Sequence, residues 1–112
     1  MNIRKISQKQ EERLARTIGG RPQVASGALP NARGDARANG KIRAEAKFTA
    51  KKSYTLHHVD LLKLRAQALS GSVEQPVFVV GFRQGRGYGA EAMDEYVVIP
   101  MSYYQELLGE KE

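Results

Sequence analysis

Three residues set the chemical question. Asp35 is followed, after nine residues, by Glu45-Ala46-Lys47. On a strand, Glu45 and Lys47 share a face because they are two apart. Two carboxylates on one face can converge on a hard divalent cation, which takes oxygen ligands. Such a cation offsets the charge that builds up when hydroxide attacks a phosphodiester and an alkoxide leaves, and it lowers the pKa of bound water. An amine beside it can orient the water or stabilise the developing charge. Neighbouring Arg and Lys would hold a phosphate backbone.

The charge distribution agrees with an anionic partner. The chain of 112 residues carries a net charge of +6. Residues 1–52 hold 13 Lys/Arg against 4 Asp/Glu, whereas residues 53–112 hold 5 against 8. Glu11, Glu12, Asp35 and Glu45 are thus the only acids in a basic half. Salt bridging is one reason for an acid there, and cation binding at a phosphate dock is the other. With no Cys, thiolate chemistry, disulfides and Cys-zinc sites are excluded. His57 and His58 are adjacent and point in different directions, which argues against a His cage or a Ser-His-Asp triad. No apolar run of about 20 residues suggests a membrane span, and no signal peptide is expected. The expected location is cytoplasmic. The length fits one domain over residues 1–112, thin enough in its core that a dimer is expected to help it.

The elements that must position these residues follow from periodicity. Residues 7–18 read as a helix capped by Ser7, with Leu14, Ala15 and Ile18 as its apolar stripe and Gly19-Gly20 as its stop. Glu11 belongs to that stripe by helical phase, while Glu12 is turned toward solvent. Residues 22–26 suit a short strand and 27–34 a loop. Residues 35–48 read as a hairpin around Asn39-Gly40. Its second strand alternates: Ile42, Ala44, Ala46 and Phe48 face one way, and Lys41, Arg43, Glu45 and Lys47 the other. Residues 56–69 form an amphipathic helix with Val59, Leu62, Ala66 and Leu69 on one face. Val77 to Val80 read as a central strand buried on both faces. Residues 84–90 are a loop, Glu95 to Ile99 a strand, and Ser102 caps a final helix. The strand–helix–strand crossover makes the strands at 41–48 and 76–82 parallel. The fold class is α/β, a single mixed central sheet flanked by helices.

The hairpin register decides whether Asp35 joins Glu45. A two-residue loop at Asn39-Gly40 would pair Asp35 with Ala44 and send the two acids to opposite faces. A three-residue loop, Ala38-Asn39-Gly40 with Gly40 left-handed, pairs Asp35 with Arg43. It puts Asp35, Glu45 and Lys47 on one face as a diagonal pair roughly 7–8 Å apart at the backbone. An odd-length loop, a bulge or a bend at Gly34 is therefore expected.

The combination resembles the metal-binding core of the PD-(D/E)xK nucleases. Glu11 with apolar residues at +3, +4 and +7, then Ser26-Gly27, Gly34-Asp35, Glu45-x-Lys47 and Lys52-Ser53-Tyr54 leading into a helix, is similar in order to the small archaeal-type and phage Holliday junction resolvases. The resemblance spans residues 7 to about 108. It implies a restriction-endonuclease-like core and a Mg²⁺-dependent endonuclease (Mn²⁺ as the other metal) that cleaves four-way DNA junctions as a homodimer. It implies that Asp35 and Glu45 ligate the metal with the Ala46 carbonyl, and that Lys47 positions the water. Glu11 would supply a helix carboxylate, and Ser26 would lie near the scissile phosphate. Lys9, Arg33, Arg37, Lys51, Lys52, Ser53 and Arg86 are the expected DNA contacts. A phage source, and so the host cytoplasm, is also suggested. Gly34 stands where the family's motif has Pro.

Other readings of the same residues exist. Glu45 and Lys47 also fit the solvent face of an ordinary strand, and Ser26 a turn. Glycines at 85, 87 and 89 lack the following helix of a phosphate-binding fingerprint. The rival class is a non-catalytic nucleic-acid-binding module on the same fold; within the enzyme class, a less selective nicking nuclease is the alternative.

Overall fold

The computed structural model describes residues 3–22, 36–70, 73–83 and 93–109. The elements in chain order are α1 (Ile3–Ile18), β1 (Arg21–Pro22), β2 (Ala36–Ala38), β3 (Ile42–Thr49), α2 (His58–Leu69), β4 (Gln75–Arg83), β5 (Met93–Val98) and α3 (Met101–Leu107). They build one five-stranded sheet in the order β1-β2-β3-β4-β5. β3 and β4 are parallel, and every other neighbouring pair is antiparallel. The parallel pair is the one the crossover rule requires. Among the described residues no helix is long and apolar enough to cross a membrane.

β4 anchors both faces of the sheet. Val77 and Val79 point toward α1 and pack with Leu14, Ala15, Ala36 and Ala44. Phe78 and Val80 point the other way and pack with Leu64 of α2. Every residue from Val77 to Gly81 is buried, so the apolar run has the two-sided environment its composition requires. Gly81 is needed where α1 crosses β4. A Cβ there would meet Met93 Sδ at 2.4 Å and Gln10 Nε2 at 3.0 Å. Arg13 of α1 continues across the sheet to bind Glu95 of β5 at 2.5 Å.

Several local expectations are corrected. Ser7 does not cap α1, because the helix already runs from Ile3. The residues before Ser7 contain no helix breaker, so a capping pattern lies inside the helix instead of at its start. Ser102 is likewise inside α3. Pro100 is the N-cap, and its carbonyl accepts from the Tyr103 and Tyr104 N–H groups at 3.0 and 3.1 Å. Of the proposed strand at 22–26, β1 includes only Pro22 among the described residues. The buried side of α2 is not Val59, Leu62, Ala66 and Leu69. Leu64 and Ala68 are buried and Leu61 half-buried, whereas Val59, Leu62 and Leu69 are 54%, 47% and 57% exposed. Both stripes are apolar at helical spacing, and only one can lie on Phe78 and Val80.

The strongest polar tie is Glu74, in the connection between α2 and β4. Its buried carboxylate accepts from Arg37 Nε at 2.7 Å, the Gly40 N–H at 2.9 Å and Arg43 Nε at 3.4 Å. Burial pushes the Glu74 pKa up, but the Gly40 N–H and the two guanidinium groups outweigh it and hold the carboxyl below its ordinary value. We expect Glu74→Gln to cost about 2 kcal/mol, because two partly buried cations lose their counter-charge. A depressed carboxylate pKa contributes stability above the unfolded value, and that contribution disappears as pH falls through the folded value. Denaturant melts of the two proteins should therefore differ most at neutral pH and converge only as the pH falls through the depressed carboxyl value, below the ordinary glutamate range.

Candidate functional site

β3 carries the two central residues of the proposed site. Glu45 and Lys47 project from the face that also bears Phe78 and Val80 on β4, which are their register partners. Lys47 Nζ lies 3.3 Å from Glu45 Oε2, with the side chains 40% and 20% exposed. An acid and an amine thus sit together at a half-open place on a central strand. Ala46, half-buried, packs against the core on the α1 side, as its alternation predicts.

The β2–β3 register decides which described side chains share a face with Glu45. The ladder pairs Ala36 with Ala44, Arg37 with Arg43 and Ala38 with Ile42. The loop is therefore three residues, Asn39-Gly40-Lys41, and Gly40 is left-handed at φ +77°. Lys41 N–H donates to the Ala38 carbonyl at 2.9 Å and closes the turn. The length is odd, as expected, but the loop starts one residue later than Ala38. Ala38 is buried and apolar, so it is kept in the sheet. The odd length gives Arg37, Arg43, Glu45 and Lys47 one common face. Ser26, Arg33, Asp35 and Arg86 lie outside the described residues.

Tyr54, assigned no role at the site by the sequence, lies near the pair, and Asp60 lies near Tyr54. The Tyr54 ring packs on Phe78 with centroids 6.3 Å apart. Its phenol pKa is raised, chiefly by burial; Lys47 opposes that shift, and the nearby Asp60 and Glu45 carboxylates add to it. Tyr54, Asp60, Glu45 and Lys47 therefore share one electrostatic neighbourhood on the α2 face. Alternation along β3 could not reveal Tyr54, which lies in the irregular segment before α2. Asp60 falls on α2, whose rotation the sequence reading set on the wrong stripe.

The helix carboxylates lie on the other side of the sheet. α1 packs on the face of Ala44 and Val79, opposite the side chains of Glu45 and Lys47. Glu11 is half-buried and Glu12 exposed, as helical phase predicts. The innermost polar residue of that turn is Gln10, which is 1% exposed. Its Nε2 donates to the Lys47 carbonyl at 3.1 Å. The described pairing of β2 with β3 stops at Ala44, and Gln10 supplies a backbone partner farther along β3.

The basic residues divide into two groups. Lys9, Lys51, Lys52 and Ser53 are exposed and available to an anionic ligand. Arg37 is instead engaged by Glu74. Among the described residues, no three His, Cys, Asp or Glu gather closely enough to hold a metal. Glu45 offers the hard oxygen donor that Mg²⁺ takes, and a complete carboxylate pair would require Asp35. Comparison with protein-family models, curated proteins and solved structures found no match.

The contact between Gln10 and Lys47 gives a stability test. Gln10→Leu keeps the volume but leaves the Lys47 carbonyl without its donor. Urea denaturation should show a loss of about 1–2 kcal/mol with little change in slope.

Proposed function

We propose that this protein is a Mg²⁺-dependent, structure-specific DNA endonuclease that cuts four-way junctions by hydrolysing a phosphodiester in opposing strands. The observation that carries the reading is the Glu45–Lys47 pair on one face of β3, beside a hairpin whose odd loop keeps residues of like parity on that face. The order α-β-β-β-α-β, with β3 and β4 parallel, supports reading the sheet as a restriction-endonuclease-like core.

In this reading Asp35 and Glu45 would hold the cation, with the Ala46 carbonyl as a further donor. When bound, the cation would offset the charge on the phosphate and make water more acidic. Lys47 orients the attacking water and balances the negative charge gathering on the phosphate oxygens. The water oxygen joins phosphorus as its proton departs to solvent. The bond from phosphorus to the leaving oxygen then breaks, and that oxygen takes up a proton. Lys9, Lys51, Lys52 and Ser53 hold the strand by its phosphates. The resemblance also assigns Glu11 and Ser26 to this site, but α1 packs on the face of the sheet opposite Glu45 and Lys47, so Glu11 is not counted among the ligands of the cation. A cytoplasmic site of action belongs to the same proposal.

Junction cutting in two strands needs two sites, and the surface supports a homodimer. Met101, Tyr104, Leu107 and Leu108 on or beside α3, with Val97 on β5, are each 49% exposed or more. Tyr103 is instead half-buried against the core. An apolar patch of this kind favours a partner surface.

Wild-type protein should cleave a synthetic four-way junction with Mg²⁺ and not with EDTA. Asp35→Asn and Glu45→Gln should each abolish cutting while junction binding survives. Cutting by Asp35→Asn at the wild-type rate would rule out this site. Binding without cutting by the wild type would leave a binding module. Sedimentation at micromolar concentration should give about twice the 12.4 kDa chain mass, and Leu107→Glu should shift it toward a monomer.

A further inference from the structure

A groove at the end of β3 and β4 lies on the same face as Glu45 and Lys47. Its volume is about 620 Å³, and Lys51, Lys52, Phe82, Arg83, Asp94 and Tyr96 contribute to its walls. Phe82 and Tyr96 meet edge to face, with ring centroids 6.0 Å apart and planes at 72°. Tyr96 is nevertheless 60% exposed. The Thr49 hydroxyl accepts from the Lys51 N–H at 3.0 Å and turns the chain as it leaves β3.

We infer that this groove binds a single unpaired nucleotide of a DNA strand, its base stacked on the Phe82–Tyr96 pair and its phosphate held by Lys51 and Lys52. The inference deepens the endonuclease reading and rests on it for the identity of the polymer. Three observations converge. An exposed aromatic ring, braced by a second ring, is a stacking platform that accepts any base. The cations supply the phosphate contacts. Asp94 would repel a phosphate, yet it can accept from the exocyclic amine of a base, so the groove suits a whole nucleotide better than backbone alone. Bases inside a duplex are already stacked and cannot reach such a platform without leaving it.

The position relative to Glu45 and Lys47 gives the groove its role. Lys47 is in register with Val80, and Val80 with Tyr96. Lys47 and Tyr96 are therefore two strand spacings apart, roughly 10 Å at the backbone. A strand crossing that span would be held next to the cut by one displaced base. Preference for branched DNA would then come partly from the ease of unpairing at a branch point.

The test measures binding of the full chain in EDTA, where no cutting occurs. The probes are a four-way junction, a duplex with a one-nucleotide bulge carrying 2-aminopurine, and a plain duplex. Wild-type protein should change the 2-aminopurine fluorescence on binding the bulge. Tyr96→Ala should weaken bulge binding about tenfold and remove that change, with plain-duplex affinity altered by no more than about twofold. Tyr96→Phe should restore both. Equal losses on bulge and duplex, or no loss on either, would overturn the inference. A shift in sedimentation by Tyr96→Ala without a bulge-specific loss would do the same, by assigning the ring to a protein contact. Protein that cuts junctions with Mg²⁺ but shows no Tyr96-dependent bulge binding refutes only the groove. Protein that binds the bulge through Tyr96 but never cuts refutes only the nuclease reading.

Discussion

The β2–β3 hairpin depends on a carboxylate from a distant part of the chain. Glu74 reaches across from the α2–β4 connection to the Gly40 N–H at the turn and to Arg37 and Arg43, one on each strand. These contacts hold the register that pairs Arg37 with Arg43. Side chains alternate with period two, so a slip of one residue would send one strand's side chains to the opposite face. The candidate chemistry on β3 is thus coupled to a buried ion pair at the other end of the hairpin. The same Glu74 bridges two cations that would otherwise stand beside each other on one face. A clamp of this kind is costly to desolvate and is worthwhile only when its hydrogen bonds are complete, as the three contacts here approach.

The sheet keeps its two faces for different work. The α1 face is closed by small and branched residues, with Ala36 and Ala44 letting the helix approach. The α2 face is only partly covered. Leu64, Phe78 and Val80 form a core there, while Tyr54, Asp60, Glu45 and Lys47 gather at its margin. The covering helix stops short of Tyr96, which stays open beside the cationic turn after β3. Polar and aromatic groups therefore flank the apolar core on one side of the central strands. Gln10 works from the other side, filling a backbone acceptor of Lys47 without joining those groups.

Much of the architecture was legible in local patterns. Alternation along β3 separates Ala44 and Ala46 from Glu45 and Lys47, and the structure keeps that separation. The four apolar residues Val77 to Val80 have no polar side, which identifies a strand with two covered faces. Asn39-Gly40 marked the turn, although the buried preference of Ala38 moved the loop by one residue. The rotation of α2 was not legible, because two of its stripes are equally apolar. Nor was Glu74, which looks like any loop acid until the hairpin is folded over it. The roles of Tyr54 and Asp60 were missed for the same reason: Tyr54 feels Glu45, Lys47 and Asp60 from separate segments of the chain.

By itself the sequence determined element order, the parallel pair, the sides of β3 and the concentration of positive charge in its first half. These follow from chain-local rules of period, connection length and composition. Tertiary structure decided which apolar stripe of α2 is buried, what holds the hairpin in register, and which groups surround the Glu45–Lys47 pair. Those outcomes depend on contacts between residues far apart in the chain, such as Arg37 with Glu74, and local periodicity carries no information about such partners.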